Sequence, residues 1–168
     1  MNIYIINNKR EERFLRQRVS VFDFKKHSKK EVNDLLKTMK EKMKEAEGIG
    51  LSANQLGLSC RVFVGRVPSS DGQIKSYAIF NPEITKPSKE RTSLMEGCLS
   101  VPGLLGIVER PEKITLIGLD KNGKRIKIKA WGILARVFQH ETDHLNGIIF
   151  IDKAKEVFKD TPEQTTKI

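Results

Sequence analysis

Gln139-His140-Glu141-Thr142-Asp143-His144 is the stretch on which the reading of this chain turns. On a helix, His140 and His144 lie four residues apart and project from one face, one turn above the other. Both imidazoles can then reach one divalent ion, with Glu141 beside a water held by that ion and able to act as its base. The flanks agree with a helix over Gly132 to Leu145. Ile133, Val137, His140 and His144 follow the helical period, and Asn146-Gly147 is a stop signal. The bare HExxH pattern has two free positions and also arises by accident, so the third ligand decides the case.

A histidine six residues after the second one would mark one group of zinc proteases, but that position is Phe150. A glutamate from a later helix would mark another, and only Glu156 and Glu163 remain, in a short polar tail. The better candidate lies upstream in Glu96-Gly97-Cys98-Leu99-Ser100-Val101-Pro102-Gly103. Cys98 is one of only two cysteines, and a thiolate is a strong ligand for a soft or borderline ion. Gly97 lets the backbone turn the thiolate inward, and Pro102-Gly103 marks a turn beyond it. Cys98, His140 and His144 make a three-ligand set with a fourth position for water, the mark of a catalytic site. The competing role of Cys98 is a small buried hydrophobe.

The rest of the chain supplies a frame for such a helix. Ser28-Lys29-Lys30-Glu31 predicts a capping box, followed by an apolar stripe of Val32, Leu35, Leu36, Met39, Met43 and Ala46 that stops at Gly48. Strands are expected over Arg61 to Val67 and Ser76 to Asn81, around a Pro68-Ser69-Ser70-Asp71-Gly72 loop. Lys113 to Asp120 and Arg125 to Ala130 alternate in polarity around the hairpin signal Asn122-Gly123, and the histidine helix follows. His27 is expected to be merely solvated. With no repeat or interdomain linker, residues 1–168 read as a single α+β domain, antiparallel strands around a metal-binding helix, ending in the short polar tail.

Composition narrows the setting. The chain has 168 residues, 38% hydrophobic and 31% charged, and no run of about 20 apolar residues that would span a membrane. Ile3-Tyr4-Ile5-Ile6 is too short for a signal peptide core, and the expected compartment is the cytoplasm, or an organelle if a transit peptide has been removed. A formal charge of +10 asks for an acidic partner or surface, with simple solubility as the alternative. Nothing reads as a zinc finger, an aromatic RNA-binding stretch or a helix-turn-helix, so no sequence-specific nucleic acid is expected.

With these residues in view, the chain resembles the peptide deformylases. Gly48-Ile49-Gly50-Leu51-Ser52-Ala53-Asn54-Gln55, the EGCLS of Glu96 to Ser100, and Gln139 to Gly147 match that family's three motifs in order. Weaker likeness runs from Leu15-Arg16 to Phe150-Ile151-Asp152. The resemblance implies removal of the formyl group from N-formylmethionyl peptides by a metal-held water, with Glu141 as general base and then acid. It assigns the oxyanion donors to the Gln55 side-chain amide and the Leu99 N–H. Ile49, Gly50, Leu51 and Gly97 would border the peptide. Ile133 and Val137 would line a methionine pocket, with structural core as their competing role. Glu96 and Asp143 would orient ligands or pair with Arg110, surface charge being the alternative for Asp143. The implied ion is Fe²⁺, with Zn²⁺, Ni²⁺ or Co²⁺ as substitutes, and the implied meeting place with nascent chains is the ribosome, reached through the basic surface. Ser52 stands where the family pattern has alanine. Leu105 stands where many members carry an arginine near the substrate backbone. A metalloendopeptidase and a non-catalytic ribosome-binding relative are the alternatives.

Overall fold

The computed structural model describes residues 2–68 and 72–160. Ser69, Ser70 and Asp71 of the expected loop, and Glu163, lie outside them. The chain opens with a short helix α1 (Lys9–Leu15), which the hydropathy pattern had not revealed. Asn8 caps it, its side chain accepting from the N–H groups of Arg10 and Glu11. Helix α2 (Lys29–Glu45) starts at the expected capping box, the Ser28 hydroxyl accepting from Glu31 N–H at 3.2 Å while the Glu31 carboxylate accepts from Ser28 N–H at 2.7 Å. Its stripe buries Val32, Leu36, Met39 and Met43 against Leu51, Val62, Val64 and Phe80.

Two antiparallel sheets follow. The first runs in the order β1 (Gly50–Ser52), β2 (Val62–Pro68), β3 (Ile74–Thr85), β6 (Lys113–Leu119), β7 (Arg125–Trp131). The second has β5 (Val101–Pro111) between β4 (Arg91–Cys98) and β8 (Ala154–Lys159). β3 is longer than its alternation suggested and changes register between Phe80 and Glu83, where Asn81 takes a positive φ of 49°. The β6–β7 hairpin closes as expected, with Gly123 at φ 75°.

Three expectations need correction. The β4–β5 hairpin turns at Leu99–Ser100, immediately after Cys98, because Cys98 already pairs with Val101. Pro102 and Gly103 belong to β5, in the register shift that follows. Glu156 lies in β8, where Gly106 of β5 lets the new edge approach: a Cβ there would meet Glu156 O at 3.0 Å. His27 is exposed but stacks on Phe22, ring centroids 4.6 Å apart.

Helix α3 (Gly132–Leu145) is enclosed by the first sheet, the β4–β5 hairpin and the N-terminal segment, so its side chains from Ala135 to Thr142, and His144 and Leu145, are buried. Such a helix is normally apolar all round. This one buries Arg136, Gln139, His140, Glu141 and His144, each of which needs a partner. Its end is held by Gly147, at φ 77°, against residues 16 and 17. A Cβ on Gly147 would sit 2.4 Å from the Arg16 carbonyl oxygen. Gly147→Ala should therefore destabilise the fold by at least about 1–3 kcal/mol, read as a lower urea midpoint.

Candidate active site

The buried polar residues of α3 meet the end of β4 at one point. Cys98 Sγ and one nitrogen each from His140 and His144 all lie within 4.8 Å of one another. Sγ stands 3.1 Å from His144 Nε2. His140 turns Nδ1 to the Glu96 carboxylate at 2.9 Å, which leaves Nε2 to face the cysteine. That is the way a metal-ligating histidine is oriented from behind by a carboxylate. One sulfur and two imidazole nitrogens converging in a buried space fit a divalent ion, and the three-donor set leaves room for water or substrate.

Glu96, fully buried, collects the charges behind His140. Arg110 forks onto it at 2.7 and 2.9 Å and reaches Asp143, which also takes Lys153 at 2.7 Å. Arg136 reaches Glu96 at 2.9 Å and spends its other donors on the carbonyls of Val108 and Thr92, tying α3 to the β4–β5 hairpin. Burial alone would raise the Glu96 pKa, but the hydrogen bonds from Arg110 and His140 outweigh it and hold the carboxyl well below its usual range. Burial works against the His140 imidazolium too. Its contacts with Cys98 and Glu96 win, and its pKa rises to about 10. His144 has no such carboxylate, and burial together with the charge on His140 drives its pKa well down.

The Glu141 carboxylate lies against the backbone of Gly50 in β1, where an added Cβ would overlap Oε1, so a side chain there would displace the carboxylate. The Ser52 hydroxyl stands 2.7 Å from Oε2 and 2.9 Å from the Glu141 carbonyl. Burial pushes the Glu141 pKa up to about 7, against the opposing pull of His140 and Ser52. A carboxyl poised there can take and return a proton near neutral pH.

Gln55, in a 3-10 turn over Ala53–Leu56 that follows β1, is locked by Ser52 N–H, which donates to its Oε1 at 2.8 Å. Its amide Nε2 therefore faces Ser100 Oγ at 3.1 Å and Cys98 Sγ at 3.6 Å. Asn54 donates to the His144 carbonyl at 2.7 Å. Leu99 follows the cysteine in the turn and packs its side chain on Gly48. The expected peptide-bordering residues divide. Ile49 is partly buried and packs with Val67 and Val137, and Ile133 is 38% exposed at the helix start. Leu51 sends its side chain wholly into the main core, so only its backbone can meet a ligand. Gly97 and Cys98 line an opening of about 180 Å³ with Leu99, the start of β5 from Val101 to Leu105, and Asp160. Leu105 is buried opposite Gly97 and Phe158.

Two functional contacts escaped the sequence reading. Ser52, which stands where the family pattern has alanine, holds Glu141 with its hydroxyl. Arg136 escaped although the four-residue spacing of 136, 140 and 144 puts it on the histidine face, a signal that was available.

A helix-borne histidine pair, a cysteine sulfur from a neighbouring hairpin and a buried carboxyl beside them define a metal-dependent hydrolase of carbonyl compounds. The polypeptide deformylase family model matches residues 3–160, and the chain belongs to that family. Its known function is deformylation of nascent peptides. A peptide deformylase of Natranaerobius thermophilus is 49% identical over 75% of this chain and 78% of its own length. One from Halothermothrix orenii is 46% identical over 76% and 80%. Among solved structures, a probable peptide deformylase from Synechococcus phage S-SSM7 has a TM-score of 0.81 and 39% identity, covering 91% of this chain and 99% of its own. The Met-Ala-Ser-bound class I type b peptide deformylase of Acinetobacter baumannii has a TM-score of 0.82 and 29% identity, covering 91% and 97%.

Removing the Glu96 carboxylate should expose how much rests on it. Glu96→Ala leaves the buried Arg136 without an anion and Arg110 with Asp143 alone, a loss of about 3–5 kcal/mol in urea unfolding. Because the folded pKa is depressed, the stability that Glu96 contributes is present above its unfolded pKa and fades as pH falls through the folded one. Metal affinity, read by competition with a chelator, should drop by about 10–100-fold.

Proposed function

We propose that this chain removes the formyl group from N-formylmethionyl peptides, with Glu141 as general base and acid. The observation that carries the reading is the buried Glu141 carboxylate held at the β1 edge next to the Cys98, His140 and His144 cluster. His140 and His144 face Cys98, while Glu141 turns its carboxylate toward Gly50 and Ser52 on the neighbouring strand. Cys98, His140 and His144 would hold a divalent ion, which supplies Lewis acidity and lowers the pKa of a coordinated water. Glu141 takes the proton of the attacking water and hands it to the departing amine. Ser52 keeps the carboxylate turned to the strand edge during that exchange.

Attack on the formyl carbon builds negative charge on its oxygen, and preorganised donors must meet it. Gln55 Nε2 is the side-chain donor, fixed by the Ser52 bond on its other end, and the Leu99 N–H is the backbone donor. The outer edge of β1 is unpaired in the sheet order, which suits addition of the peptide as a further strand beside Ile49 to Leu51. Val137 and Ile133 then receive the methionine side chain, and Gly97 borders it from the hairpin. Glu96 and Asp143 position His140 through the arginine network.

Fe²⁺ is the working ion we favour, and Zn²⁺, Ni²⁺ or Co²⁺ suit the same mixed sulfur and nitrogen donors. Two free cysteines support a reducing, cytoplasmic setting, and no helix among the described residues is long and apolar enough to cross a membrane. The ribosome is the proposed partner, supported by the charge of +10 and by the exposed row Arg125, Lys127, Lys129 on the edge strand β7.

The test is formate release from formyl-Met-Ala-Ser by anaerobically prepared, iron-loaded protein, with activity that declines in air as Cys98 and the ferrous ion oxidise. Glu141→Ala should abolish release, and Gln55→Ala should lower kcat by about 10²–10³ with little change in KM. A Gln55 effect confined to KM would remove it from the oxyanion site. Binding to purified ribosomes should weaken steeply between low and moderate salt, and salt-independent or absent co-sedimentation would count against the ribosomal partner.

A further inference from the structure

A cavity of about 400 Å³ opens beside the outer end of the arginine network. Arg18 from the N-terminal segment, Arg61 just before β2, Glu83 of β3 and Thr142 and Asp143 of α3 line it, together with Arg110 and Lys153. Cys98, His140, Glu141 and His144 do not. The cavity is therefore separate from the metal-ligand cluster, although α3 contributes to both. Its charges are unevenly matched. Arg110 and Lys153 both pair with Asp143. Arg61 is only 7% exposed, yet it makes no ion pair among the described residues. Its guanidinium donates to the carbonyls of Leu145 and Pro82 at 3.0 and 3.2 Å and to the Asn146 side-chain oxygen at 2.9 Å, all of them neutral.

A buried arginine is almost always found with an anion, because an unpaired charge out of water is expensive. Here a second cation, Arg18, stands close by and is itself in no ion pair among the described residues. Burial, and then the charge of Arg18, lower the Arg61 pKa from its ordinary value. Thr142, 6% exposed, adds a buried hydroxyl oxygen with no hydrogen-bond partner, a group that is normally satisfied. Two guanidinium groups and a hydroxyl thus meet in one cavity with only the exposed Glu83 left to oppose them. We propose that this cavity binds a terminal phosphate group, as inorganic phosphate or a small phosphate monoester, anchored by Arg61 with Arg18 and the Thr142 hydroxyl. The planar guanidinium fork matches phosphate oxygens with paired N–H groups. The burial of Arg61 favours a terminal group over a polynucleotide backbone, whose phosphates carry sugar on both sides. Glu83 opposes the anion and limits its affinity. Because Arg61 ties the end of α3 to Pro82 of β3, neutralising its charge also strengthens that junction.

Calorimetric titration of the metal-loaded full chain with inorganic phosphate, exchanged for chloride at constant ionic strength, tests the site. A saturable site should appear, and at a tenfold excess over Kd the melting temperature should rise by about 3–6 °C. Phosphate also stabilises proteins without a site, by exclusion from their surface, and can meet a bound metal, so the variants decide. Arg18→Gln, at an exposed position that the fold does not need, should weaken binding by about 10–100-fold, the worth of a charge-assisted hydrogen bond. Arg61→Gln should do the same where it folds, Thr142→Val should weaken binding less, and Glu83→Gln should tighten it. Ribose 5-phosphate should displace phosphate, and a short RNA without terminal phosphates should not. No saturable binding at millimolar phosphate, or binding that Arg18→Gln and Glu83→Gln both leave unchanged, would overturn the site. Displacement by the RNA but not by ribose 5-phosphate would overturn the terminal group in favour of a nucleic-acid backbone.

Discussion

A single buried carboxylate organises this protein. Glu96 sits at the end of β4, two residues before Cys98, and receives Arg110 from β5 together with Arg136 and His140 from α3. Three cationic or polar groups from two elements converge on one anion, so the β4–β5 hairpin and the helix are registered by charge as well as by apolar contact. An ionised carboxylate out of water is expensive unless it is paired and hydrogen-bonded, and here Arg136 is itself held by the Val108 and Thr92 carbonyls and Arg110 by Asp143. The arrangement fixes which imidazole nitrogen faces the thiolate. Stability and ligand geometry thus depend on the same atoms.

The second constraint is steric. Gly50 leaves space for the Glu141 carboxylate, and Gly48, just before the strand, lets the Leu99 side chain close in. The glycines of the first motif serve the approach of a strand to a helix side chain and to the β4–β5 turn. Ser52 then completes the enclosure with a hydroxyl where an alanine would only fill volume. Burial makes the glutamate a weaker acid and the serine moderates that effect, leaving a group able to exchange protons near neutrality.

The departures in this chain have local explanations. Leu105 is core because β8 pairs with β5 across Gly106 and covers that position with Phe158. The apolar surface around Trp131 lies where the still-paired ends of β2 and β3, Val67 with Lys75 and Pro68 with Ile74, face the point at which β7 runs straight into α3. Each feature follows from how elements distant in sequence are brought together.

The sequence by itself determined the chemistry: the four-residue spacing of His140 and His144, the glutamate beside them, the capping box at Ser28 and the Asn122-Gly123 hairpin are local patterns whose meaning does not depend on distant residues. Cys98 as third ligand was legible by elimination, and the motif order identified the family. Strands β4, β5 and β8 were not legible, because their side chains alternate poorly and their pairing is set by partners remote along the chain. Only the tertiary structure decided that Arg136 and Arg110 share Glu96, that Ser52 reaches Glu141 across 89 residues, and that Leu51 belongs to the core. The physical reason is range. Helical period and turn chemistry act within a few residues, whereas a buried charge takes whatever partners the packing of separate elements brings to it.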